Sequence, residues 1–136
     1  MLRNLNGIKV VYEKKKIIID GELMDLNKFI SANRSDKFYG NRVKQNETNK
    51  VKDVILQNIE ALQPLKFPIT LHYTWVTNDR RKDKDNIAFA KKFVQDGMVA
   101  AGLLPNDGWN EIKDFTDSFV VDKGNARVEV VIKEAK

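Results

Sequence analysis

Asp83 and Asp85 stand two residues apart in Arg80-Arg81-Lys82-Asp83-Lys84-Asp85-Asn86. From Arg80 to Lys92 the chain holds six basic residues (Arg80, Arg81, Lys82, Lys84, Lys91, Lys92) and only two acids. Carboxylate oxygens are the ligands of hard divalent ions such as Mg2+, which keep water and also take phosphate oxygens. The surrounding cations suit a phosphate backbone. An acid pair inside a cationic surface therefore has the composition of a metal-assisted phosphate site, where an ion polarises a phosphodiester and lowers the pKa of water. The same spacing has a structural explanation. Asp85 before Asn86-Ile87-Ala88 would serve as a helix N-cap, and Asp83 would favour the helix dipole.

Asp107, in Pro105-Asn106-Asp107-Gly108-Trp109, is the third acid of interest. Asp is also an ordinary turn former. The intervening helix, at 1.5 Å per residue over roughly 16 residues, is about 24 Å long. The loop after it must fold back if Asp107 is to approach the other two.

The positioning elements follow from periodicity. Ile8–Tyr12 and Ile17–Ile19 read as short β-branched strands on either side of the basic run Lys14-Lys15-Lys16. Asp25 N-caps a helix from Leu26 that is interrupted at Asn33–Asp36. A longer helix is expected over about 38–62, its buried stripe being Val51, Val54, Ile55, Asn58, Ile59 and Leu62, with Pro64 and Pro68 closing the region. Pro68–Thr77 alternates, with Ile69, Leu71, Tyr73 and Trp75 on one strand face. A helix from Asn86 to about Ala101 ends at Gly102. Strands near Phe115–Asp122 and Ala126–Lys133 flank Lys123-Gly124-Asn125, read as a hairpin turn. The order β-β-α-α-β-α-β-β predicts one compact α+β domain over residues 1–136, a mixed sheet packed with helices.

Composition narrows the classes. There is no cysteine, which removes disulfides, thiolate catalysis and cysteine-ligated zinc. His72 is the only histidine, so it has no partner for a zinc site or a Ser/His triad, and a structural role is expected. No apolar run approaches the roughly 20 residues of a membrane span. The first seven residues carry no signal-type apolar segment, which fits a cytoplasmic protein. A net charge of +5 makes a polyanion the first partner to test. The Arg34–Lys52 basic cluster reads as a solvated face or a DNA-backbone contact, Trp109 as a loop anchor or a base-stacking residue, and Asn86 as a first-turn residue or a water-positioning one.

The stretch resembles the RusA-like Holliday junction resolvases (crossover junction endodeoxyribonucleases), often encoded by phages and prophages. Asp83, Asp85 and Asn86 match the opening of the family motif, Asp96 its later acid and Asp107 its acidic turn. The resemblance covers about residues 69–133, closing on the strand Asn125–Val130, and extends weakly to Ile19-Asp20-Gly21. It implies Mg2+ (or Mn2+) held by Asp83, Asp85 and Asp107, cleavage of four-way junction DNA in a bacterial host cell, and a homodimer whose two sites match a two-fold substrate. Arg80, Arg81, Lys82 and Lys84 are the expected local DNA contacts. One position departs: the family lysine, four residues after the second Asp, is Phe89. Lys92 lies four before Asp96 and, on a continuous helix, about 700° from Asp85, close to the same face, whereas Lys91 falls about 120° away. Lys92 is therefore expected to support the developing charge, with an i,i+4 surface pair to Asp96 as the alternative. A nuclease for other branched DNA and a non-catalytic phage DNA-binding protein remain as alternatives.

Overall fold

The computed structural model describes residues 15–135. The strand expected over Ile8–Tyr12 lies outside them. In chain order the elements are β1 (Lys15–Asp20), α1 (Leu26–Ser35), α2 (Lys37–Gln57), α3 (Ile59–Leu62), β2 (Ile69–Thr77), α4 (Lys84–Ala88), α5 (Lys91–Ala100), β3 (Ile112–Val121) and β4 (Arg127–Glu134). They form a mixed four-stranded sheet with helices packed on it, the α+β architecture expected. No helix among the described residues is long and apolar enough to cross a membrane.

The core follows the alternation read in β2. Ile69, Leu71, Tyr73 and Trp75 are all buried. Their neighbours on the same sheet face are Val128, Val130 and Ile132 of β4 and Ile17 and Ile19 of β1. Val51 and Ile55 of α2 and Phe93, Val94 and Met98 of α5 cover that face. Tyr73 and Trp75 stack with centroids 5.4 Å apart. Each such ring buries some 150–250 Å², so this pair is a principal source of apolar stabilisation. The opposite face is polar. His72 belongs to it, its ring nitrogens 2.5 Å from Thr116 Oγ1 and 3.0 Å from Ser118 Oγ, which is the structural role expected.

Three expectations about connectivity are corrected. β3 and β4 do not form a hairpin, because the strand order is β1-β4-β2-β3. β2 lies between them, parallel to β3 and antiparallel to β4. Lys123-Gly124-Asn125 instead carries the chain across the end of β2, where Asp122 N–H donates to Thr77 O (2.8 Å) and Gly124 N–H to Asn78 Oδ1 (2.9 Å). Gly124, at φ +85°, allows the reversal. Turn chemistry dictates that the chain reverses; the most buried strand, β2, lies between the two.

The long helix also breaks, at Asn58, whose side chain donates to Val54 O (2.8 Å) and whose backbone N–H turns to Ile55 O. Finally, the helix expected over 86–101 is two pieces. At Phe89–Ala90 the bonds tighten to three-residue spacing, with Ala90 N–H donating to Ile87 O and Phe93 N–H to Ala90 O. The tightening seats Phe89 between Phe29 and Phe93, at centroid distances of 5.5 Å to each. Phe89 therefore joins α4, α5 and α1, a packing role that a lysine there could not fill. Gly102, at φ +79°, lies just beyond the end of α5 as expected.

Candidate metal and phosphate cleft

The cleft is built from the loop leaving β2. Thr77 is buried and its hydroxyl donates to Asp79 O (2.9 Å), while Asp79 Oδ1 accepts from Arg81 N–H (2.9 Å). These bonds fold residues 77–81 into a tight turn. Lys82 then points inward, its ammonium 3.1 Å from Asp25 and 3.8 Å from Glu22. Burial pushes the Asp25 carboxyl upward, but the Lys28 N–H and the Lys82 ammonium outweigh it and hold it below its usual range. Asn86 Oδ1 accepts from Asn27 N–H (2.9 Å), a second tie between α4 and α1. The loop is thus stitched to α1 on both sides of the acid pair.

Asp83 and Asp85 line one open cleft of about 780 Å³. Asp79 lines it too, a third carboxylate that sequence reasoning missed because it stands just ahead of the basic stretch beginning at Arg80. Arg80, Lys82 and Lys84 are its cations, and Phe119 and Val121 of β3 are among its apolar lining residues. Among the described residues, no three His, Cys, Asp or Glu side chains gather closely enough to hold one ion.

Asp83, not Asp85, is the N-cap residue of α4, which corrects the capping assignment. The contrast with the other capping aspartates is informative. Asp25 accepts from Lys28 N–H and Asp36 from Phe38 N–H. Asp83 has the same extended backbone, yet its carboxylate makes no capping bond and no ion pair among the described residues. Asp85 accepts only from the adjacent Asn86 N–H (2.9 Å). Two exposed carboxylates are left facing an open, cationic cleft. Asp36→Ala should cost about 1 kcal/mol of stability, as loss of a cap does. Asp83→Ala should stay within about 0.5 kcal/mol, as for a surface change. Urea denaturation of the two variants checks this, and equal losses would return Asp83 to a capping role.

Asp107 is not at the cleft. β2 and β3 are parallel, with Ile69 beside Ile112 and Thr77 beside Val121. Asp107 precedes β3, where Ile69 N–H donates to Glu111 O (2.8 Å), so it belongs to the far end of β2. At ~3.3 Å per residue, a nine-residue strand separates the two ends by roughly 26 Å. Within one chain, Asp107 does not join Asp83 and Asp85. Nor does Lys92, whose ammonium pairs with Asp96 at 3.1 Å, the surface pair weighed as its alternative. The tightened turn at Phe89–Ala90 breaks the continuous helix on which its facing was reckoned. Lys91 reaches Asp117 (2.7 Å) over the Phe115 ring, away from the cleft.

Of the expected DNA contacts, Arg80 and Lys84 line the cleft without ion-pair partners among the described residues. Arg81 is 89% exposed and 3.6 Å from Asp79. Lys82 is consumed as the tether to Asp25. Trp109 is not a loop anchor: it is 97% exposed. No protein-family model matches the chain, and no curated protein matches it in sequence.

Proposed function

We propose that the chain is a metal-dependent endonuclease that resolves four-way (Holliday) junctions as a homodimer. The observation that carries the reading is the pair Asp83 and Asp85, exposed in a cationic cleft, with Asp83 at a helix N-cap it does not cap. Mg2+ is held by one or two carboxylates together with water and substrate phosphate, and this donor set fits that habit, with Mn2+ as a substitute. When bound, the ion supplies charge to polarise a phosphodiester and acidify water. Arg80 and Lys84 hold the strand against the cleft, and Lys84 takes the charge-supporting role that the sequence suggested for Lys92. Such a substrate belongs to the cytoplasm of a bacterial host, prophage-encoded proteins included.

The position of Asp107 supports the dimer. β3 is an edge strand, and from Asp114 to Val121 its outer side has no strand beside it among the described residues. Phe115, Val120 and Val121 on it are 42%, 46% and 47% exposed. A long edge strand carrying apolar residues is a template for another strand. Two-fold pairing of β3 with a second copy runs antiparallel, so the start of one β3 lies against the end of the other. The partner's Asp107 then stands at the end of the sheet that holds Asp83 and Asp85. A carboxylate beyond Asp79, Asp83 and Asp85 then reaches each cleft, and two clefts face a two-fold junction.

A non-catalytic branched-DNA binder is the second reading, favoured by the lack of three converging carboxylates among the described residues of one chain. Purified protein, Mg2+, a labelled four-way junction and a matched linear duplex test both. Paired symmetric nicks in the junction alone are expected. Cleavage without symmetry would redirect the assignment to other branched DNA, and binding without cleavage in Mg2+ or Mn2+ would overturn the enzyme.

A further inference from the structure

α2 presents a second surface that the fold does not explain. Its buried row is Gly40, Val43, Glu47, Val51 and Ile55. Phe38 lies on the opposite side of the helix and is 79% exposed. At 100° per residue, Asn41, Arg42, Gln45 and Asn49 continue its stripe, which holds no acid. Tyr39 adjoins it, with the Arg42 guanidinium 6.0 Å from its ring centroid. Between Arg34 and Asn46 there are four cations (Arg34, Lys37, Arg42, Lys44) and one carboxylate, Asp36, which accepts the Phe38 N–H. None of the four cations has an ion-pair partner among the described residues, a state they share with Arg80 and Lys84 of the cleft. A phenylalanine opposite the core contributes no burial, and cations left unpaired beside it contribute no ion pairs.

We infer that this stripe binds an unpaired nucleic-acid strand, with Phe38 and Tyr39 stacking on bases and Arg34, Lys37 and Arg42 on phosphates. Charge selects the ligand: Arg42 on the stripe, with Arg34, Lys37 and Lys44 close to it in sequence against the single carboxylate Asp36, suits a polyanion on a chain of net +5. The aromatics select the unpaired form, because only bases outside a duplex offer a free face to a ring. The platform is rigid. A Cβ on Gly40 would come within 2.5 Å of Asn33 Oδ1, so α1 and α2 are in close contact near their joint. The other end of α1 is tied to α4 through Asn27 and Asn86. Ten residues of helix place the joint about 15 Å along α1 from that tie. The inference rests on the DNA reading above and adds a single-strand contact one helix length from the cleft.

The test measures binding alone, in EDTA, so it does not depend on cleavage. The probes are a fluorescent oligothymidylate of about 12 nucleotides, within the usual single-strand site size, and a duplex of equal length. Phe38→Ala/Tyr39→Ala should weaken oligothymidylate binding by about tenfold or more, as loss of stacking does, while duplex binding stays near wild type. Arg34→Gln/Lys37→Gln/Arg42→Gln should reduce the salt slope on the single strand by about 2, near 0.7 for each phosphate no longer neutralised. Circular dichroism checks that both variants fold. The inference is overturned if the wild type does not bind the single strand, or if both variants bind it unchanged. It is also overturned if the aromatic variant alters only the oligomeric state in sedimentation, which would make the stripe a protein interface. A chain that cleaves junctions yet fails here loses only this inference; one that passes here without cleaving loses only the nuclease.

Discussion

An Asp85→Asn chain and an Asp107→Asn chain, each inactive alone, are expected to regain junction nicking when mixed and allowed to exchange subunits. Alone, either variant lacks a carboxylate in both clefts of the dimer, and cleavage should fall below detection. In the mixed dimer, one cleft carries both lesions. The other has its own Asp83 and Asp85 and an intact Asp107 from the neighbour. With random exchange half of the dimers are mixed, so about a quarter of all clefts are whole, as two-fold geometry requires. The product should be single nicks, since no mixed dimer holds two working clefts. If each chain gathered its own trio, mixing would restore nothing. Binding of the junction should survive in both variants, because neither removes a cation. Loss of binding and of fold in Asp85→Asn would return that residue to a helix-stabilising role.

Gly97→Ala should destabilise the protein by about 2 kcal/mol, within the range of an overpacked core. Propensity argues the other way, since alanine is favoured over glycine inside a helix by about 1 kcal/mol. The contact decides it. A Cβ on Gly97 would lie 2.5 Å from Val51 Cγ1, 2.6 Å from Val51 Cβ and 3.2 Å from Lys52 N. The last is backbone of α2 and has no rotamer to change. Helix α5 would have to move off α2, loosening Phe93, Val94 and Met98, which are buried beside it. A lowered urea midpoint at unchanged m-value is the expected readout. Val51→Ala removes only the Cγ1 contact and keeps the Cβ at 2.6 Å, so the cost of Gly97→Ala should shrink more in a Val51→Gly background than in Val51→Ala. A neutral Gly97→Ala would mean that the two helices pack further apart.

Much of the fold was legible because periodicity reports burial directly. The alternation of Ile69, Leu71, Tyr73 and Trp75 predicted the central strand, and Asp25, Asp36 and Gly102 mark helix boundaries close to where the sequence put them. Strand neighbours were not legible. Lys123-Gly124-Asn125 has the chemistry of a turn, and nothing local in it distinguishes a hairpin from a step across β2. The helix break at Phe89 was hidden for a similar reason: it is set by Phe29, some sixty residues earlier. That break carried the facing argument for Lys92 away with it.

At the cleft, spacing located Asp83 and Asp85 but could not say which of them begins the helix. Asp79 stands just ahead of the basic stretch and outside the two-residue spacing that singles out Asp83 and Asp85. Lys82 could not be told from its neighbours by composition, since its commitment depends on Asp25, which is remote in sequence. Asp107 was sought at the same end of the sheet; a parallel crossover necessarily delivers the residues before β3 to the other end.

The place of β4 bears on how the protein is made. It is the last described strand in sequence but sits inside the sheet, between β1 and β2. Among the described residues β1 pairs only with β4, through partners such as Ile19 and Val128, more than a hundred residues apart. A nascent chain leaving the ribosome therefore cannot form the β1–β4 pairing until residues 127–134 have been synthesised. Such non-local pairing slows folding. It also delays a finished sheet, with its cleft and its β3 edge, until residues 127–134 have emerged.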